Sequence, residues 1–414
     1  MRHRARTRRR LIVGGATLLA LLVPATTLAA PPAWTRHLGS KAEDVAGGIA
    51  ADGKGITIVG TTGGKITHKV EGGSDAFVRR YDRRGAVLWT RQFGTDAQDI
   101  GQDVAADGGG VTVLGSTDGS FSGSGGTLGI EDVFVRRYDR DGKRLWTRQF
   151  GAPEDEDPGA IAAGDGGLFV VGTTAGDLGG SQAGDGDAFL RRYDRDGQPE
   201  WTRQFGTDRA DTAMAVAVDG GGITVGGGTD GDLQGQNAGP FSDAFVRRYD
   251  LAGNVLWTRQ WGQEGDDTVL SLAADGTGVT AVGYTHADSM GNKPSQAFIR
   301  RFNRNGQLQW SRIFGSPDSE VAWGVAADGD ALTVTGYTFG DLDADNKGSF
   351  DVFVRRYNRS GTAIWKRQFG TKGADLGLDV AADGKGFTVF GHTNASLGGD
   401  AKGELDVFVR RYRR

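Results

Sequence analysis

The chain has 414 residues, with 71 Gly, 9 Pro and no Cys, enough for one large core or two ordinary domains. The missing cysteines exclude disulfides, thiolate metal sites, cysteine nucleophiles and lipidation of an N-terminal cysteine. The first 30 residues hold six Arg and no acid, which leaves 42 Lys+Arg against 52 Asp+Glu downstream, a net of −10, a balance that argues against a nucleic-acid partner.

In chain order, the first element is the basic run "MRHRARTRRR". It is followed by "LIVGGATLLALLVPATTLAA", apolar but interrupted by Gly and Pro24, with small residues around Ala29 and Ala30. This predicts a secretory signal peptide over residues 1–30, too short and too broken for a membrane span. "TRRRLI" at Thr7 to Ile12 resembles the twin-arginine export motif of bacteria; a plain basic n-region is the alternative. No apolar run after Ala30 is long enough to cross a bilayer.

From Trp34 onward the chain is periodic. Tryptophan recurs at Trp34, Trp89, Trp146, Trp201, Trp257, Trp310 and Trp365, at intervals of 55, 57, 55, 56, 53 and 55 residues. A fixed period of this length signals a propeller or a solenoid. Each period holds four segments of β character, which in the second repeat read "QDVAAD", "GVTVLGST", "DVFVRRYD" and "RLWTRQFG". "AADGGGVT" reads as a tight hairpin, and so does the [DN]-x-x-G turn that recurs at Asp82, Asp139, Asp194, Asp250, Asn303 and Asn358. Four antiparallel strands and no helical stretch describe one propeller blade. The periodic part opens with "WTRHLG", a fourth strand without its first three, and ends with "DVFVRRYRR", a third strand without its fourth. Joining them closes a ring without a free radial edge. The prediction is an all-β fold: a single seven-bladed β-propeller over residues 31–414, closed by the N-terminal strand pairing in the last blade.

The pattern A-A-D-G-x-G-[VIF]-T-V-x-G-x-T, then D-[AV]-F-V-R-R-Y-[DN]-x-x-G, then W-x-R-x-F-G resembles the bacterial seven-bladed β-propeller repeat, the SBBP repeat. It covers residues 34 to 414. The resemblance implies an exported or surface-associated propeller and no common catalytic motif. The family's third strand usually reads closer to F-V-A-K-Y, where this chain has Arg-Arg.

Several residues recur once per repeat. An acid precedes each A-A-D-G aspartate by eight positions: Asp44, Asp99, Asp157, Asp211, Asp267, Glu320 and Asp375. These acids either ring the channel mouth as a cation annulus or serve structure, paired with backbone N–H groups or with the W-x-R arginines such as Arg36 and Arg91. Alternation along a strand puts one arginine of each Arg-Arg pair on each face of the blade. The aspartate before A-F or V-F, replaced by Gln296 in the fifth repeat, reads as a capping residue. Tryptophans and phenylalanines read as inter-blade packing.

Function has to break the sevenfold pattern. The loops after the second strand are long and divergent, which suits a recognition face. Each is expected to be pinned by an apolar residue: Ile66, Phe121, Leu178, Leu233, Met290, Leu342 or Leu397. The middle residue of G-x-T is small in the first four repeats but becomes Tyr284, Tyr337 and His392 in the last three, and Trp323 appears on the inner strand of the sixth. These four are the candidate ligand-binding residues, able to stack a sugar or clasp a peptide, with repacking between blades as the alternative. "GDLDADNKGSFD" at Gly340 to Asp351 offers Asp341, Asp343, Asp345 and Asp351 as candidate Ca²⁺ ligands, though the twelve-residue pattern with a terminal Glu is absent and a solvated acidic loop is the competing account. No other cofactor is expected.

Histidines after residue 30 lie at His37, His68, His286 and His392, in unrelated repeat positions, so no nucleophile–base pair follows from spacing. The expectation is a monomeric, non-enzymatic binding scaffold, exported to the periplasm, cell surface or medium. Its partner would be an extracellular or surface protein or a glycan. The alternative is a carbohydrate-active enzyme using the same face.

Overall fold

Alternating apolar and polar positions give each repeat two-faced strands, and the computed structural model, which describes residues 31–121, 129–235, 237, 239–286 and 293–414, pairs them into seven four-stranded antiparallel sheets. Six sheets are consecutive runs of four strands. Blade one, for example, is Asp44–Ala51, Ile56–Thr62, Asp75–Tyr81 and Val87–Phe93. Blades two to six follow at residues 99–150, 156–205, 211–261, 267–314 and 320–369. The seventh sheet is the exception. Its inner three strands are Asp375–Ala382, Gly386–Thr393 and Asp406–Arg413, and its outer strand is Trp34–Leu38, in register Trp34↔Arg411 to Leu38↔Val407. The ring is closed by the N-terminal strand, as the phase of the repeat predicts. No helix occurs among the described residues.

The core lies between blades. Val59, Val78 and Trp89 of blade one pack against Val104, Val113 and Phe134 of blade two, and the same arrangement recurs around the ring. At the closure, Leu38, Phe390 and Val407 of blade seven meet Ile49, Ile58 and Phe77 of blade one. Each fully buried side chain of this size contributes about 1.5–3 kcal/mol, so the repeat persists because every blade buries the same two faces. The six loop-pinning apolar residues that are described all join these clusters; Met290 lies outside the described residues.

Polar repeat residues stitch neighbouring blades. The Trp89 indole donates to the Arg140 carbonyl (2.8 Å) and Arg91 Nε donates to the Gly142 carbonyl (2.8 Å), both in the turn of the next blade. Gly142 has φ +77°, and a methyl group there would lie 2.6 Å from the indole ring. Arg36, Arg91, Arg148, Arg203 and Arg259 thus latch adjoining blades rather than the ring of acids. The acids are buried, and each accepts the N–H of the residue four positions earlier: Ser40 for Asp44 (2.5 Å), Thr95 for Asp99 (2.6 Å) and Thr371 for Asp375 (2.6 Å). They close the turn between blades rather than line a cation annulus. In blade three this role belongs to Glu156, which accepts from Ala152 N (2.6 Å), and not to Asp157. The extra residue Gly164 before Asp165 displaces the count by one.

The Arg-Arg pairs divide as alternation requires. Arg137 is buried on Asp107 (2.9 Å) and Thr112 (2.8 Å) of its own blade, whereas Arg136 stacks over Phe93 of the preceding blade at 4.1 Å. The aspartate before A-F is indeed a cap. Gln92 donates to Asp75 (2.9 Å), while its carbonyl oxygen accepts Ile66 N–H and Thr67 N–H, clamping the long loop. In blade five both partners change together, to Gln296 and Ile313, and in blade seven the clamp is His37, hydrogen-bonded to the Asp400 carbonyl at 3.0 Å.

Candidate functional site

Each inner strand carries a β-bulge at the same place, between residues such as Gly101 and Asp103, or Ala322 and Gly324. A bulge turns its extra residue out of the ladder, and here the extra residues include Gln102, Met214, Leu270, Trp323 and Leu378, which line a central cavity of about 530 Å³. The wall is asymmetric. Blades one and three contribute Gly47 and Gly159, and blades five to seven contribute Leu270, Trp323 and Leu378. Of the four candidate ligand-binding residues, Trp323, Tyr337 and His392 border this cavity. Tyr284 sits one blade away, opposite Thr268 in the ladder.

The electrostatics of this region follow from burial. His392 is pulled down to about 4 by desolvation, so its ring is neutral near pH 7, and its Nδ1 has no hydrogen-bond partner among the described residues. The Trp323 Nε1 is likewise buried without a partner among them. Asp103 is pushed up to about 8, first by burial and then by the charge of Asp379, with the N–H groups of Ile161 (2.8 Å) and Val104 (2.7 Å) opposing. Asp379 is raised to about 6 by burial and accepts from Ile49 (2.9 Å) and Val380 (2.7 Å). These two carboxyls satisfy backbone donors that the bulges free in their own blade and the next one.

Three aromatic residues beyond the sequence candidates complete an exposed patch on the long-loop face. Tyr337 meets Phe350 edge-on at 5.5 Å and Phe339 at 6.1 Å, and Phe339 lies 4.2 Å from Phe350. Tyr284 meets His286 at 5.5 Å. Phe339 is 44% exposed. A signal for it was present in the repeat: the residue after the G-x-T threonine is Gly63, Asp118, Ala175, Asp230, His286 or Asn394 in the other blades, and the residue before Asp351 is Ser or Gly in most other blades.

The acidic loop behaves differently from the Ca²⁺ expectation. Asp343 is buried against Arg355 through two bonds of 2.7 and 2.8 Å, with Lys366 at 3.5 Å. Asp341 Oδ1 accepts Asn346 N–H (2.7 Å), Asp351 accepts from Gln368 (3.2 Å), and Asp345 points to solvent. The four carboxylates do not converge, and among the described residues no group of three His, Asp or Glu side chains is placed to hold a metal ion. Hydrogen bonds of His37, His68 and His286 run to backbone carbonyls. No helix of the described residues is long and apolar enough to cross a membrane.

No family model matches the chain. Over 205 residues it is 32% identical to the regulatory protein FlaEY of Caulobacter vibrioides, a stretch that makes up 45% of this chain and 20% of that protein. The chain thus spans about a fifth of that relative's length. Among solved structures, the Pan2 WD40 domain of Neurospora crassa superposes with a TM-score of 0.52 at 12% identity, covering 93% of this chain and 98% of that one. Drosophila Semaphorin 1b, extracellular domains 1-2, gives 0.51 at 8% identity, covering 92% and 87%. At such identities the likeness is one of fold: this chain is a seven-bladed β-propeller with WD40-type neighbours.

Proposed function

We propose that the chain is an exported, non-enzymatic scaffold that binds a protein partner through the long-loop face of blades five to seven. The observation that carries this reading is the break in symmetry. Polar stitches repeat around the ring, but among the described residues rings gather on the long-loop face in blades five and six, with Phe339 and Phe350 held on Tyr337 and Tyr284 against His286. Exposed aromatic residues on a rigid platform are typical interface anchors. WD40-type neighbours and a relative named as a regulatory protein support a binding role. The repeat itself fits an SBBP-type propeller, and the basic-apolar leader over residues 1–30 fits export. A glycan is the second reading, because the partly exposed rings of Trp323 and Tyr337 at the cavity offer a stacking surface.

Residues 31–414 probed against surface-protein and glycan arrays should yield a binder that Phe339→Ala removes while the melting temperature stays within about 2 °C, since surface substitutions cost little. Hydrolysis of a glycan substrate, or binding indifferent to Phe339, would defeat the proposal. Mass spectrometry of exported protein should find an N-terminus near Ala30 or Pro31.

A further inference from the structure

We infer that the aromatic patch over blades five and six docks a Lys/Arg-bearing segment of the partner protein. This rests on the reading of the long-loop face as the binding face and adds the chemistry of what it binds. The patch is a fixed platform: Phe339 N–H is held by the Ser319 carbonyl (3.0 Å), the Phe350 carbonyl accepts Asp375 N–H (3.0 Å), and Asn346 Nδ2 holds the Phe339 carbonyl (2.5 Å). Its exposed rings present π-faces, which attract cations.

The surroundings are acidic and unneutralised. Asp318 lies against the Gly340 backbone next to Phe339, and Asp341 follows directly. The Asp266 carbonyl accepts His286 N–H (3.0 Å), two residues after Tyr284 in sequence, while its carboxylate accepts Ser242 N–H (3.3 Å) from blade four. Glu264 and Asp345 are exposed on the same loops. None of these five carboxylates forms an ion pair among the described residues. Lysines at 293 and 347 are the cations set among them on the long loops of these two blades.

On the opposite face the repeated A-A-D-G aspartates are neutralised. There Asp52, Asp107, Asp275, Asp328 and Asp383 are each paired with a buried arginine. Exposed Asp141 and Asp196 on that face also lack an ion pair among the described residues, so what distinguishes the long-loop face is that its unpaired carboxylates lie beside the aromatic patch. Burial raises the Tyr284 phenol, with smaller contributions from the nearby Asp266 and Asp267 carboxyls. A cationic segment gains both long-range attraction and ring contact, whereas an acidic or nucleic-acid partner is repelled.

The test uses residues 31–414 and three short fluorescent peptides in which Gly/Ser alternates with Lys/Arg, with Glu or with Gln. The Lys/Arg peptide should bind, weakening about tenfold or more between about 0.05 M and about 0.5 M salt. Phe339→Ala, and separately Asp266→Asn with Asp341→Asn, should each weaken it about tenfold. Asp141→Asn on the opposite face should leave it unchanged, and melting curves should confirm that every variant is folded. Equal affinity in Phe339→Ala and Asp141→Asn would mean diffuse attraction to an acidic chain and would overturn the inference, as would no Lys/Arg peptide binding at all. Phe339-dependent binding of the Glu or Gln peptide would overturn the cationic assignment while leaving the face reading intact. If an array partner also binds independently of Phe339, both readings fall.

Discussion

At the scale of single residues, Arg136 and Arg137 are neighbours with unrelated tasks, one packing on Phe93 of the blade before and the other neutralising Asp107 of its own blade. The turn glycines divide in a similar way. Gly108 and Gly142 both have positive φ, but a methyl at Gly108 meets nothing within 4 Å and one at Gly142 strikes Trp89. Gly108→Ala should therefore cost only the left-handed backbone penalty, about 1–2 kcal/mol. Gly142→Ala adds displacement of a stitching indole and should cost about 2–5 kcal/mol in chemical unfolding. The two substitutions separate backbone strain from the inter-blade latch. Asp343 offers a further check. Burial pulls Arg355 down and the Asp343 carboxylate more than offsets it, so removing that partner strands a buried guanidinium. Asp343→Ala should destabilise by about 3–5 kcal/mol, equally in Ca²⁺ and in chelator. A melting temperature that depends on Ca²⁺ in the parent and not in the variant would restore the metal reading.

At the scale of elements, the bulged inner strand explains the two half-buried carboxyls of the channel. Asp103 and Asp379 have native pKa values of about 8 and about 6, above their ordinary range. A raised carboxyl binds its proton more tightly in the folded state, so its contribution is full at low pH and fades as pH rises through the native value. His392 acts oppositely. Its lowered value means that stability is lost as pH falls from about 6.5 to about 4. His68, raised first by its hydrogen bonds to the Lys69 and Gln92 carbonyls, also loses its contribution as pH rises above 6.5, so the Asp103 effect is read as the difference between the parent and Asp103→Asn there. Between about pH 6.5 and pH 8 the parent should lose about 1–2 kcal/mol, and Asp103→Asn should flatten that slope. A parent whose stability is level across this interval would show that the two N–H donors outweigh burial. The Gln clamp is also an element-scale device, joining outer strand, third strand and long loop in one contact. Its joint replacement by Gln296 and Ile313 was visible in sequence as two isolated exceptions, but their relation came only from the pairing of the strands.

At the scale of the molecule, seven sheets depend on one strand from the far end of the chain. Residues 34–38 complete blade seven, and Trp34 and Arg36 latch blade one through the Arg83 carbonyl (3.0 Å) and the Gly85 carbonyl (2.9 Å). Deleting residues 31–39 should leave Asp406–Arg413 as an open edge and free two stitches, so the protein should aggregate or melt well below the parent in light scattering and calorimetry. A truncated chain that stays monomeric with an unchanged melting temperature would contradict the role of this strand. In five blades a turn glycine meets the preceding tryptophan, as Gly85 meets Trp34 and Gly142 meets Trp89, whereas Trp365 packs on Phe387 (5.8 Å) and Tyr412 (6.2 Å).

Periodicity alone determined the number of blades, the strand order, the turn positions and the site of closure, because a repeat of near-identical segments has few ways to bury identical faces. It also located Trp323, Tyr337 and His392, since departures from a repeat are visible without coordinates. What it left open was which polar groups meet. The acids could pair with arginine or with backbone until turn geometry brought each one to the N–H four residues before it, and in blade three a single extra residue shifted the role from Asp157 to Glu156. Phe339 and Phe350 are eleven positions apart and become an edge-on ring pair only because the long loop folds back between them. The triple aspartate has a cation-like spacing in sequence, yet the register of the third strand delivers Arg355 to Asp343 and separates the set. Spacing reports distance along the chain; only the tertiary structure decides distance through space and what has already been neutralised there.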